Sequence, residues 1–124
     1  MRLTADLHIH SCLSPCADGE MTPNNIVNMA YIKKLDVIAV TDHNSAKNLP
    51  AVAGAARKRG LVLLPGLEVQ SREEVHLLCY FETLEAALAF GDAIYAHLPD
   101  VFNRTDIFGE QLVMDENDTV TGAE

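Results

Sequence analysis

Asp6, His8 and His10 occupy every second position of "ADLHIH", within the first ten residues of the chain. Alternate residues of a strand share one face, so the two imidazoles stand roughly 7 Å apart at the backbone. From there both ring nitrogens can reach one cation at about 2 Å. Further on, "VTDHN" carries Asp42 and His43, "PGLEV" carries Glu68, and "EVHLLCY" carries His76. Neutral imidazoles and carboxylates in such numbers are the donor set of a divalent-metal centre. No Ser-His-Asp set or GxSxG elbow competes with them.

Each of these residues alone has a plainer reading. Asp6 is expected to cap a turn or support a ligand from behind. Asp42 could cap the turn before the next helix or orient His43. His97, late in a surface helix, is expected to be a hydrogen-bonded structural residue. Glu68 follows an apolar run, where a lone carboxylate would be costly, so a cation or a basic partner must account for it.

The elements that position these groups are legible from periodicity and caps. Leu3 to Ile9 alternates as a strand, and 11–22 reads as a loop with Pro15 and Asp18-Gly19 as turn signals. Thr22-Pro23 starts a helix, with threonine as cap and proline in the first turn. "DVIAV", Asp36 to Val40, is a short apolar strand of the kind buried on both faces. An alanine-rich helix from about Asn48 to Arg59 stops at Gly60. "LVLLPGLEV" reads as a third strand interrupted by Pro65-Gly66, and Val75 to Phe81 as a fourth; Thr83 to about His97 is a helix. This alternation predicts an α/β fold with a parallel sheet. Functional groups of such sheets sit at the carboxyl ends of strands. That is where His8, His10, Asp42, His43 and Glu68 are expected. Beyond Leu98 the pattern weakens. "QLVMDENDTVTG" could be a hairpin turning at Asp115 to Asp118, with 121–124 in neither cap nor strand.

The chain has 124 residues, 48 % apolar and 22 % charged, with a net charge of −9. That suits a globular domain and argues against an extended nucleic-acid surface, which needs Lys and Arg. No apolar run approaches the roughly 18 residues of a membrane span, and the N-terminus lacks a signal-peptide core. A cytoplasmic location is expected. Cys12, Cys16 and Cys79 are then expected as free thiols, Cys79 in the core. Cys12 and Cys16 alone are too few for a structural zinc site.

The ordered motifs "DLHIHS", "VTDHN", "PGLEV" and "EVHLLCY" resemble the first motifs of the polymerase-and-histidinol-phosphatase (PHP) superfamily of metal-dependent phosphoesterases, from Asp6 to about Phe81. The resemblance implies a distorted seven-stranded β/α barrel of parallel strands, of which this chain is the first half, since such barrels need about 250 residues. Residues 1–99 would be the N-terminal portion of the PHP domain. Residues 100–124 would be an irregular or hairpin segment leading to a missing C-terminal half. It further implies two or three divalent ions (zinc, manganese or iron) in the complete site. His8 and His10 would bind one metal, Glu68 would bridge it to a second held by His76, and His43 would bind a third. Asp18 is the first choice as His43's companion and Cys16 the second. Glu68, His43 and Asp42 are the residues expected to carry the reaction. The later family motifs, a Pro-Ala-His and a final Asp-x-His, do not occur after His76 in these 124 residues, where His97 is the one remaining histidine. The expected activity is hydrolysis of a small phosphorylated metabolite, a nucleotide or an oligonucleotide end. The alternative is a non-catalytic metal-binding or assembly fragment that needs a C-terminal half or a partner chain, and the open barrel edge is expected to favour self-association.

Overall fold

The computed structural model of the chain describes residues 1–99, 101 and 103–124. Three strands form a parallel sheet in the order β1 (Ala5–Ile9), β2 (Val37–Val40) and β3 (Val62–Leu63). Helix α1 (Pro23–Ile32) connects β1 to β2, and α2 (Leu49–Arg59) connects β2 to β3. Each helix starts and stops for a local reason. Thr22 accepts a hydrogen bond from the Asn25 amide, and Pro23 follows it. Gly60 ends α2 in the left-handed region at φ +68°, where a side chain would be strained. Ile26, Val27 and Ala30 of α1 and Leu49, Val52, Ala55 and Ala56 of α2 pack on Ile38 and Val40 of β2. The sheet's middle strand is thus sealed, while β1 forms an edge.

The run read as one interrupted third strand is two strands, β3 and β4 (Gly66–Gln70), broken at Leu64-Pro65. Proline cannot donate to a ladder, and the chain changes sheets there. The fourth expected strand, β5 (His76–Tyr80), is not parallel. It pairs antiparallel with β4, Glu68 opposite Leu78 and Gln70 opposite His76. The reason is the linker. Ser71 to Val75 closes as a tight turn, with Ser71 N–H donating to the Val75 carbonyl. A parallel crossover takes a dozen or more residues. Among the described residues the fold is therefore mixed α/β, with a three-stranded parallel sheet and separate antiparallel pairs, and the seven-stranded barrel is not seen.

Helix α3 (Leu84–Ala96) follows, capped by the Thr83 hydroxyl on the Ala86 amide. A four-residue helix, α4 (Thr105–Phe108), was not legible in advance. Strands β6 (Leu112–Met114) and β7 (Val120–Ala123) form the expected hairpin. Its turn is closed by Asp118 N–H on the Asp115 carbonyl and by the Asp115 side chain on the Thr119 amide. The final residues, expected in no element, are strand as far as Ala123. Asp118 reaches across to α1, accepting from the Thr22 hydroxyl at 2.6 Å and the Asn24 amide at 3.0 Å. No helix among the described residues is long and apolar enough to cross a membrane.

Candidate metal centre

The loop after β2 is built to face β4. Asn44 adopts a positive φ of 54°, which asparagine tolerates better than most residues. Its amide donates to the Glu68 carbonyl at 2.8 Å, and its side chain accepts from the Gln70 amide. The Glu68 amide donates to the Asp42 carbonyl at 3.0 Å. His43 and Glu68 thereby form a parallel bridge, which carries β4 alongside the end of β2. On the antiparallel pair, Glu68 and His76 are diagonal neighbours on one face. The ends of β1 and β2 and the face of β4–β5 then enclose one spot.

At that spot four imidazoles surround one carboxylate. Glu68 Oε2 lies 3.1 Å from His8 Nε2, 2.7 Å from His10 Nε2 and 3.8 Å from His43 Nδ1, and Oε1 lies 3.0 Å from His76 Nδ1. The rings form a chain, with centroids 5.0 Å apart for His8–His10, 4.5 Å for His10–His43 and 5.5 Å for His43–His76. Glu68 is nearly covered (6 % of its side chain exposed), whereas His8 and His76 are half exposed, at 50 % and 46 %. Burial acts to raise the Glu68 pKa. The bonds from His8 and His76, with the charges of His43 and His10, outweigh it and hold the carboxyl below its ordinary value. Burial, then the proximity of His10, lowers His43 and favours its neutral form.

Hydrogen bonding alone does not satisfy this arrangement. His8 Nε2 and His10 Nε2 both approach Glu68 Oε2, yet they lie only 3.1 Å from one another. If both donate to the carboxylate, two N–H groups face each other. A divalent cation among three lone pairs removes the conflict. Two donors at about 2.0–2.1 Å from a tetrahedral ion stand roughly 3.3 Å apart, close to the 3.1 Å of His8–His10 and His8–Glu68 and wider than the 2.7 Å of His10–Glu68. The donor atoms fall into three overlapping groups, each within 4.8 Å: His8-His10-Glu68, His43-Glu68-His76 and His10-Cys16-His43. The chemistry and spacing of these residues fit divalent cations.

The remaining sequence-nominated residues separate clearly. Cys16 Sγ lies 3.0 Å from His10 Nδ1. The Asp18 carboxylate instead accepts from the Glu20 amide at 2.8 Å and belongs to none of the three groups. The loop geometry is responsible, because successive turns (Ala17 N–H to Ser14, Met21 N–H to Asp18) point the two side chains differently. Asp6 accepts from the His8 amide. His97 bonds through Nδ1 to the Ala93 carbonyl. Cys79 is half-buried, and all three cysteines are free thiols. Asp42 is buried behind the cluster, its oxygens bonded to Ser11 and Ser14. The sequence reading passed over Ser11, Ser14 and Asn48, which line that buried floor; serine and asparagine in a turn carry no distinguishing signal.

A family model, "PHP domain", matches residues 6–113. The chain belongs to the PHP domain family. This PHP domain is 37 % identical over 90 residues to a 3',5'-nucleoside bisphosphate phosphatase of Chromobacterium violaceum, a match covering 69 % of this chain and 30 % of that protein. It is 33 % identical over 69 residues to a 5'-3' exoribonuclease of Haemophilus influenzae, covering 56 % of this chain and 24 % of the other. Among solved structures, a candidate metal-dependent phosphoesterase of Bifidobacterium adolescentis superposes with a TM-score of 0.55 at 28 % identity, over 64 % of this chain and 28 % of that one. A Chromobacterium violaceum protein described as an amidohydrolase, with bound sulfate and no metal, gives 0.51 at 34 % identity, over 60 % and 26 %. This PHP domain therefore spans less than a third of the length of these relatives.

Proposed function

We propose that this chain supplies the first part of a multinuclear divalent-cation centre that hydrolyses phosphoesters. The observation that carries the proposal is the single covered carboxylate of Glu68 facing four imidazoles from β1, β5 and the turn after β2. His8, His10 and Glu68 would hold one cation, and Glu68 with His43 and His76 a second. A third would lie beside His43, with Cys16 as its sulfur donor in preference to Asp18. Zinc and iron suit the imidazoles, and manganese suits the carboxylate and water positions of such a mixed set. A bound divalent cation supplies positive charge against the charge that develops on phosphoryl oxygens.

The chain's own residues set the conditions. Glu68 remains ionised and His43 neutral, the forms that bind a cation. Cys16 and Glu68 approach opposite edges of the His10 ring, so His10 can present only one lone pair at a time, and neutral His10 serves one group or the other. The relatives' names point to phosphate ends of nucleotides or oligonucleotides as the substrate class. The net charge of −9 fits a short substrate held by cations better than a long polyanion held by the surface.

A second reading, a cation-binding part that hydrolyses poorly alone, is favoured by the short span relative to the relatives. One experiment addresses both. Metal content after gel filtration and manganese-supplemented hydrolysis of a nucleoside bisphosphate are measured on the same sample. Cation binding with slow turnover is expected. A chain that retains no more metal than its Glu68→Gln variant would refute the centre itself, and robust turnover would refute the second reading.

A further inference from the structure

Asp42 and Glu68 are the buried carboxylates among the described residues. Glu68 belongs to the imidazole cluster. Asp42 bonds to none of the four imidazoles, and its two oxygens accept three hydrogen bonds. Its Oδ1 accepts from the Ser11 amide at 2.7 Å and the Ser14 hydroxyl at 2.7 Å, and its Oδ2 accepts from the Ser11 hydroxyl at 2.6 Å. The Ser11 hydroxyl cannot turn its proton elsewhere. Ser11 Oγ already accepts from the Leu13 amide at 3.2 Å and from Asn48 Nδ2 at 3.0 Å. Its one hydrogen and two lone pairs are therefore spent. Ser14 Oγ accepts from the His43 amide at 3.1 Å.

The consequence is mechanical. Ser11 follows His10 and Ser14 precedes Cys16, so the loop carrying two cluster residues hangs on the Asp42 side chain. The His43 amide hangs on it through Ser14, and the Asp42 carbonyl registers Glu68. Asn48 extends the network to β6, donating to the Leu112 carbonyl and accepting from the Met114 amide. We propose that Asp42 is a positioning residue whose two acceptor oxygens hold the His10 loop and His43 in one frame, and so set the cation affinity of the imidazole cluster. This rests on the reading that the cluster binds divalent cations.

The substitution Asp42→Asn keeps the shape of the side chain and gives it the wrong polarity. The new NH2 group would face either the spent Ser11 hydroxyl or the Ser11 and Ser14 donors, and no flip of the amide avoids a donor against a donor. The test is manganese titration calorimetry on the parent, Asp42→Asn and Ser14→Ala chains. Amide exchange at His43 and metal-free melting are followed alongside. Asp42→Asn is expected to bind manganese roughly 10–100-fold more weakly, the cost of losing a partner behind a ligand. Ser14→Ala should lose less, with faster exchange at His43 in both. A merely structural role would lower melting and leave affinity where it was. If Asp42→Asn fails to fold, Ser14→Ala, which leaves both Ser11 bonds to Asp42 in place, decides alone. A folded variant with the parent's affinity overturns the positioning role while the functional reading stands. A parent that binds no manganese overturns both.

Discussion

Glu68→Gln is the sharpest perturbation of the centre. The substitution keeps size and shape but removes the charge and one of two acceptor oxygens. Both oxygens are committed in the parent, Oε2 toward His8 and His10 and Oε1 toward His76. A glutamine keeps one oxygen, and the NH2 that replaces the other cannot bind a cation. Glu68 is also shared by two of the three candidate ligand groups, so one substitution disarms both. Loss of a partner behind a ligand costs roughly 10–100-fold in affinity. Loss of a shared direct donor should exceed about 100-fold, or about 2.7 kcal/mol, for each cation. Asp6→Asn is the control. Asp6 accepts from the His8 amide at 3.2 Å, and the asparagine oxygen can accept the same bond. It should cost less than about 0.5 kcal/mol, roughly twofold, as for most surface substitutions. Plasma emission after gel filtration reads the stoichiometry, and manganese calorimetry reads the affinity. Parental stoichiometry and affinity in Glu68→Gln would refute the shared-donor argument; a loss in Asp6→Asn as large as in Glu68→Gln would refute its specificity.

The metal-free chain should lose stability on acidification. Burial and His10 depress the folded His43 pKa below its ordinary 6.5; the unfolded chain therefore takes up that proton first, and stability falls as pH drops from there. Glu68 acts with the same sign below its ordinary 4.5, and Asp42, raised by burial against its bonds to Ser11 and Ser14, with the opposite sign. Chelator-treated parent should therefore melt lower at about pH 5.5 than at about pH 7.5, by more than His43→Asn does; an equal drop in the variant removes His43 as the cause. Asp118→Ala strips the far hairpin's bonds from Thr22 and Asn24 and should cost about 1–2 kcal/mol, the range of a lost helix cap, read by thermal unfolding. The edge of β1, lined by exposed Leu3 and Leu7 with Leu78 and Tyr80 nearby, should drive self-association; light scattering that stays monomeric up to crystallisation concentrations would oppose this.

Much of the frame was legible because each signal was local. The caps at Thr22, Thr83 and Gly60 mark helix ends by the chemistry of one or two residues. The apolar run of β2 marks a strand covered on both sides. Placing polar residues at strand ends anticipated His10 and His43, which follow β1 and β2, whereas Glu68 and His76 reach the same spot from the face of the antiparallel β4–β5 pair. What was missed depends on relations between segments. The direction of β5 is decided by the five residues of its linker, too few for a crossover, a length the βα rhythm obscured. Cys16 and Asp18 lie two positions apart in a loop, and only the turn geometry decides which one meets His10. The Asp42 network uses serines and an asparagine that look like ordinary turn residues until burial shows their hydroxyl and amide groups to be fully committed.

The distribution of exposure across the cluster bears on what kind of centre it can be. Structural zinc sites close around the ion with four protein ligands, whereas catalytic sites keep a position open. Here the floor is closed: Asp42, Ser11, Ser14 and Asn48 are buried, bonded to one another and to neighbouring backbone groups. The opposite side is not. His8 and His76, at the two ends of the chain of rings, are half exposed, while Glu68 between them is covered. Glu68 with His8, His10 and His76 would hold cations, and two of those four, His8 and His76, are half exposed. A hydrogen-bonded floor under an open rim would suit the proposed centre, since it would combine held ligands with access for a phosphoryl group. A closed structural site would need neither feature, and its donors would not be spread over the ends of two parallel strands and the face of an antiparallel pair.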